Sequence, residues 1–390
     1  MKRTALRSIS LILTAAVTLT LAFTAPGLSA SNALADSDSN GSDNSDNYRV
    51  VVSLGDSYSA GEGVDPFYGQ DEDDDVKIND PDWLAHRSQL AWPGQLDLPG
   101  NDGLTNEYRG SRWFFAASSG ANIRDIAGYY DSDGEFGGQY RNYYYNGSRG
   151  TVRLDPQLDI FDQLDPEHPA DYVTLTLGGN DVGFRSMLTT IALTVGPLDF
   201  GMQERAVEDI MDEFYHTDDN GNEDGIREQL RQAYYAIAEE AGPQATIIVV
   251  GYPKLLSPDG NAVFDKTECE LINDAAEWLN DEIEALVNEC HDDGLNICFV
   301  SVEEAFEGHG AYSDDPYIIS ISISNNEDLK PGISAGSMHP NAAGIDAYRR
   351  CVQAKIDELE FEKAIEHMSD GQIWIHNITY SAYSLIESLL

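Results

Sequence analysis

From Tyr48 onward the chain alternates short apolar runs with longer amphipathic stretches. Five runs, at 49–54 (RVVVSL), 113–116 (WFFA), 172–177 (YVTLTL), 246–250 (TIIVV) and 296–300 (NICFV), are rich in β-branched and aromatic side chains and read as strands. They are nearly continuous rather than alternating, which predicts strands covered on both faces, as in a parallel sheet. Between and after them the apolar positions recur at helical spacing. Helices are expected over Gln203 to Tyr215, Gly225 to Glu240 and Glu270 to Glu289, the last marked by Leu271, Ala275, Leu279, Ile283 and Leu286, and a closing helix starts near Asn341 and runs past Cys351. This order predicts an α/β fold, a three-layer α/β/α sandwich with a central parallel sheet and ligands at the carboxyl ends of its strands. No repeat or boundary divides residues 48–360.

The flanking segments follow other rules. Lys2, Arg3 and Arg7 precede an apolar run from Ile9 to Phe23, and Ala33-Leu34-Ala35 supplies a small-x-small cleavage pattern. Residues 1–35 are therefore expected to be a secretory signal peptide, with Leu28-Ser29-Ala30 a second possible cut and the mature protein extracellular. The run is too short for the roughly 20 residues of a membrane span, so no stable membrane anchor is expected. Residues 36–47 contain no apolar side chain and are expected to be an acidic, flexible leader. Residues 361–390 mix Trp374, Ile375, Tyr380 and Leu385 with polar residues and are expected to dock on the domain as a C-terminal extension.

Charge narrows the range of partners. The formal net charge is −45, from 23 basic and 68 acidic side chains, so a nucleic acid partner is excluded on electrostatic grounds. The four cysteines, Cys269, Cys290, Cys298 and Cys351, form no CxxC pair, which leaves neither a zinc ribbon nor a dense disulfide framework. Export would make disulfide pairing plausible among them, in one of three connectivities.

The chemistry collects at strand ends. The first strand runs into Gly55-Asp56-Ser57, which puts a hydroxyl where a helix begins; alone, such a serine is as readily a turn or N-cap residue. The 172–177 strand ends in Gly178-Gly179-Asn180-Asp181, offering an uncharged amide donor, although Gly-Gly-Asn alone is more often a tight turn. After the 113–116 strand comes Ala117-Ser118-Ser119-Gly120-Ala121, where a glycine N–H could supply another donor. His339, in Ser337-Met338-His339-Pro340, sits just before the last helix with proline stiffening the chain beside it. Serine with histidine provides a nucleophile and its general base.

Together GDSYSAGEG, SSGA, GGND and SMHPNAAG resemble the four motif blocks of the SGNH, or GDSL, hydrolase family. His86-Arg87-Ser88 with Ala91-Trp92-Pro93, and Phe306-Glu307-Gly308-His309, are similar to segments of secreted actinobacterial GDSL lipases. The resemblance implies a flavodoxin-like sandwich that hydrolyses small-molecule or lipid carboxylic esters without a cofactor or metal. It implies Ser57 as nucleophile, His339 as base and then acid, and an oxyanion hole made of the Ser57 N–H, the Gly120 N–H and the Asn180 amide. Three departures stand out. Gly336 occupies the position, three before the histidine, where many members carry an aspartate, so a main-chain carbonyl, that of Gly336, is expected to orient the imidazole, with Asp314 and Asp315 the nearest acids upstream. Ala85 and Ser118 stand where similar lipases have cysteines, and Tyr312 stands where a third is common. A carbohydrate O-acetyl esterase using the same residues, or a non-catalytic binding protein of the same fold, is the alternative reading.

Other features carry less. Asn220 to Gly225 resembles the start of a calcium loop, but Arg231 occupies the twelfth position where a bidentate glutamate is needed. The tyrosine-rich insertion from Tyr129 to Gly150 is long for a compact domain and reads equally as a lid, a substrate platform or a self-packed loop. His309 reads as a cleft or a structural imidazole.

Overall fold

A computed structural model of the chain describes residues 48–70, 80–99, 103–108, 110–127, 138–145, 148–184, 210–218, 221–261, 263–325 and 331–366. The expected signal peptide and acidic leader, most of the C-terminal extension and most of the helix expected over 203–215 lie outside these residues. Two compact units are distinguished, Asn47–Asp357 and the set Met1–Asp46 with Glu358–Leu390, of which only the helical residues 358–366 are described.

All five expected strands form: β1 (Val51–Gly55), β2 (Trp113–Phe115), β5 (Tyr172–Thr176), β6 (Thr246–Val250) and β7 (Ile297–Val300). They make one sheet in the order β2-β1-β5-β6-β7, and every pair is parallel. The insertion contributes an antiparallel hairpin, β3 (Tyr140–Tyr145) with β4 (Ser148–Arg153), and a second short hairpin pairs β8 (Ile323–Asn325) with β9 (Pro331–Ile333). The α-helices whose bounds lie within the described residues are α1 (Ser57–Ala60), α2 (Pro81–Leu84), α3 (Ile123–Ala127), α4 (Ile226–Ala241), α5 (Lys266–Asp292) and α6 (Ala342–Glu366), and residues 210–214 are helical as expected. Helix α5 starts a turn earlier than its apolar spacing indicates, because Asp265 and Glu268 form a reciprocal capping box that satisfies its first amides.

One face of the sheet, with Val52 and Leu54, Val173 and Leu175, and Ile247 and Val249, packs on Leu230, Tyr234 and Ile237 of α4 and on Leu279, Ile283 and Leu286 of α5. The opposite face carries Ser53, Trp113 and Thr174. The Ser53 hydroxyl accepts from Trp113 Nε1 and from Thr174 Oγ1, each at 3.0 Å, so these buried polar groups are partnered. Gly94 abuts the Trp113 ring, the adjacent Trp92 stacks on Tyr348 of α6, and the Tyr348 hydroxyl donates to the Gly251 carbonyl at 2.9 Å. Helices thus cover both faces, and the architecture is the expected three-layer sandwich.

The chain moves from β1 outward to β2 and then returns past β1 to β5. The direction of winding reverses there, and in open α/β sheets such a reversal opens a crevice at the carboxyl ends of the strands. Among the described residues no helix is long and apolar enough to cross a membrane.

The disulfide expectation is corrected: none joins the four cysteines. Cys269 and Cys290 lie near opposite ends of α5, about 30 Å apart at ~1.5 Å per residue, far beyond the ~7 Å that a bridge can span. Cys298 is on β7 and Cys351 on α6. The urea-denatured chain should therefore titrate as four thiols without reductant; a count of two or none would contradict this arrangement.

Candidate active site

Strand β1 ends at Gly55, whose φ of 115° and close approach to β5 both require glycine: a Cβ there would fall 2.4 Å from the Thr176 carbonyl oxygen. The next residue, Asp56, is extended and caps α1 by accepting the Tyr58 N–H at 3.0 Å. Its carboxyl also accepts Thr176 Oγ1 and Tyr252 OH, each at 2.6 Å. Burial pushes its pKa up, and these hydrogen bonds oppose the shift. Tyr252 in turn accepts the Gly179 N–H at 3.1 Å, so the loops after β1, β5 and β6 are tied together through one carboxyl. Ser57, the first residue of α1, is 7% exposed and lines a cleft together with Ser119, Gly120, Gly179, Asn180 and His339, with Tyr58, Phe184, Leu255 and Ile321 as apolar walls.

His339 Nε2 lies 2.8 Å from Ser57 Oγ. Its Nδ1 lies 3.0 Å from the Ser337 carbonyl oxygen, not from that of Gly336 as expected. The Gly336 carbonyl instead accepts the His339 N–H at 3.3 Å, closing a turn with Ser337 and Met338 in the middle. Met338 has φ 62°, which at the third position marks a type II turn. In that turn the central peptide is flipped, and its oxygen, that of Ser337, folds back to the ring. Asp314 and Asp315 do not reach His339 Nδ1; the Asp315 carbonyl holds His309, which stacks on Tyr317. Tyr58 donates to the Met338 carbonyl at 2.7 Å, and its ring lies 5.1 Å from the imidazole.

Asn180 Nδ2 donates one hydrogen to the Ala121 carbonyl at 2.9 Å, which orients the amide and leaves its second hydrogen for the cleft. The neighbouring Asp181 accepts the Ile123 N–H at the start of α3. Burial pushes the Asp181 carboxyl up to about 7, and the charges of Asp125 and Asp56 add to the shift. Among the described residues no group of three or more His, Cys, Asp or Glu could hold a metal ion.

Residues 53–347, from β1 into α6, match the model of the GDSL-like lipase/acylhydrolase family. The chain belongs to this family. It is accordingly a carboxylic ester hydrolase, and the four strand-end segments that resembled the family's motif blocks fall within the match. Two curated relatives of this GDSL-like chain are a lipase of Streptomyces rimosus, 24% identical over 72% of this chain and 80% of that protein, and lipase 1 of Streptomyces coelicolor, 27% identical over 44% and 55%. In fold it is similar to the crystal structures of the extracellular lipase of S. rimosus (TM-score 0.51, 21% identity) and of a phospholipase A1 of Streptomyces albidoflavus (TM-score 0.50, 22% identity). Each covers 80% of this chain and 99% of the matched one.

Where GDSL lipases of the resembled type have cysteines, this family member joins the same segments by polar bonds: the Ser119 N–H donates to the Ala85 carbonyl at 2.9 Å. Glu62, in the GDSYSAGEG segment, is buried and links His86 Nδ1, at 2.9 Å, to the Ser119 hydroxyl, a role that no motif marks. Burial opposes its ionisation, yet the hydrogen bond and charge of His86, with the nearby His339, hold the carboxyl below the usual range. Tyr252 is a further residue of the site that no motif marked.

The raised pKa of Asp181 has a definite sign. A carboxyl with a folded pKa of about 7 and an unfolded value near ~3.9 binds its proton more tightly in the native chain, so its contribution to stability falls as pH rises from about 4 to about 7. Asp181→Asn, which can still accept the Ile123 N–H, should reduce the difference between urea midpoints at pH 5 and pH 7.5. An unchanged difference would show that Asp181 does not titrate in this window.

Proposed function

We propose that this chain is a secreted serine esterase or lipase acting through an acyl-serine intermediate. The observation that carries the reading is the 2.8 Å contact of His339 Nε2 with Ser57 Oγ, in a cleft shared with Gly120 and Asn180. His339 takes the Ser57 proton as the hydroxyl attacks the ester carbonyl. The oxyanion is met by the Ser57 N–H, the Gly120 N–H and the Asn180 amide. His339 then returns the proton to the leaving alkoxide, leaving acyl-Ser57. In the second half, His339 accepts a proton from water, which attacks the acyl carbon, and restores it to Ser57 as the acid departs. The Ser337 carbonyl keeps Nδ1 protonated and Nε2 basic.

The apolar walls of Phe184, Leu255 and Ile321 favour an acyl chain over an acetylated sugar, in keeping with the lipase and phospholipase activities named for the similar proteins. Secretion is supported by the basic start and apolar run from Ile9 to Phe23 and by the likeness to an extracellular lipase.

Ser57→Ala should lower turnover of p-nitrophenyl esters by about 10⁴ or more, because nucleophile and base act as a unit. Retention of a tenth of the activity would refute the assignment. Asn180→Ala should lower kcat by roughly 10² to 10³ with little change in KM, since the amide matters as charge develops. Comparing acetate, butyrate, octanoate and palmitate esters with acetylated sugars separates the acyl-chain reading from the deacetylase one: faster turnover of the sugars would reverse it.

A further inference from the structure

The peptide that joins Ser119 to Gly120 is held from behind. Its carbonyl oxygen accepts from Gln139 Nε2 at 2.8 Å and from Arg141 Nη1 at 2.9 Å, both at the start of the inserted hairpin. Because a trans peptide is planar, its N–H points opposite to its C=O. With the Ser119 oxygen turned to the hairpin, the Gly120 N–H is directed away from it, on the side of a residue that lines the cleft. The hairpin also lies close over this peptide: a Cβ on Gly120 would come 3.4 Å from Gln139 Nε2 and 3.7 Å from Arg141 Nη1. Arg141 is anchored a second time, Nε donating to the Leu84 carbonyl at 2.6 Å, and Gln139 Oε1 accepts from Ser118 Oγ at 2.5 Å. Asp125, whose carboxyl accepts the Asn122 N–H at 2.8 Å, also feels the guanidinium charge.

We propose that Arg141, seconded by Gln139, is a positioning residue that fixes and polarises the Ser119–Gly120 peptide so that the Gly120 N–H becomes a stronger oxyanion donor. The proposal rests on the oxyanion role given to Gly120 above. Hydrogen bonds to a peptide carbonyl withdraw charge through the amide and strengthen its N–H as a donor, and a guanidinium does so more than a neutral amide. The positive charge acts on the oxyanion through the peptide without entering the cleft. Gly120, at φ 72°, lies in a region where the backbone alone does not settle on one orientation, so the carbonyl bonds also fix direction.

The test compares Arg141→Met, Arg141→Lys and Gln139→Ala in the full-length enzyme. It uses p-nitrophenyl butyrate as substrate and an aliphatic trifluoromethyl ketone as the probe that forms an oxyanion on serine. A polarising partner should account for a fraction of the 10²–10³ due to a whole donor: about 10-fold in kcat for Arg141→Met and about 3-fold for Gln139→Ala, with KM within about twofold. The ketone should weaken by the same factors. Arg141→Lys, which lacks the fork needed to reach both carbonyls, should fall between wild type and Arg141→Met. If Arg141→Met does not fold, the other two variants carry the same comparison. A rise in KM with unchanged kcat, a loss of kcat without weaker ketone binding, or no effect at all overturns the proposal. Should Ser57→Ala still turn over, the reading of the site itself fails; an inert Ser57→Ala beside a fully active Arg141→Met rejects only the role of Arg141.

Discussion

The carboxyl of Asp56 is the joint on which the cleft depends. It receives the Tyr58 amide from its own helix, the Thr176 hydroxyl from the end of β5 and the Tyr252 hydroxyl from beyond β6. A fully buried acid is tolerated only when its oxygens are satisfied, so the three partners have to be in place together. Ser57 follows directly on this joint, and Gly179, one residue before Asn180, hangs from it through Tyr252. The relative position of hydroxyl and amide is therefore set by a buried hydrogen-bond network and not by the loops' own preferences.

The topology explains why the network forms where it does. Parallel strands bring all their carboxyl ends to one edge, and the reversal of winding at β1 leaves an opening between the connections on that edge. The polar column of Ser53, Thr174 and Thr176 on one sheet face leads to that opening, while the other face is apolar and meets α4 and α5. A strand face that would ordinarily hold only hydrocarbon has become the wall that holds the acid.

The parts legible in the sequence were those with local signals. Strands buried on both faces read as runs such as TIIVV, and Ser57, Gly120, Asn180 and His339 each followed a strand or preceded a helix within a few residues. The orienting carbonyl was misplaced by one residue because the turn that aims it puts Met338, a side chain that ordinarily avoids positive φ, where glycine is usual. Tyr252, Glu62 and Arg141 gave no warning for a different reason: their partners lie as far away as 196 residues in the case of Tyr252 and Asp56. Only the folded sheet brings them together. The cysteines misled because an exported chain makes pairing plausible, whereas the separation along α5 forbids it for Cys269 with Cys290.

Few cations are available to this acidic chain, and two of them direct part of their hydrogen bonding to main-chain carbonyls. Arg87 donates to the Ala116 and Ala117 carbonyls as well as to Asp82, and Arg141 donates to the carbonyls of Leu84 and of Ser119, which lines the cleft. Exposed ion pairs such as Lys254 with Glu277 weaken as ions accumulate, since the screening length shrinks to about 3 Å at 1 M. Contact hydrogen bonds from a half-buried guanidinium to a carbonyl have no second full charge to screen. In concentrated brine the mutual repulsion of the surface carboxylates is therefore relieved while the bonds of Arg141 to the Leu84 and Ser119 carbonyls persist, so the support behind the Ser119–Gly120 peptide depends little on ionic strength.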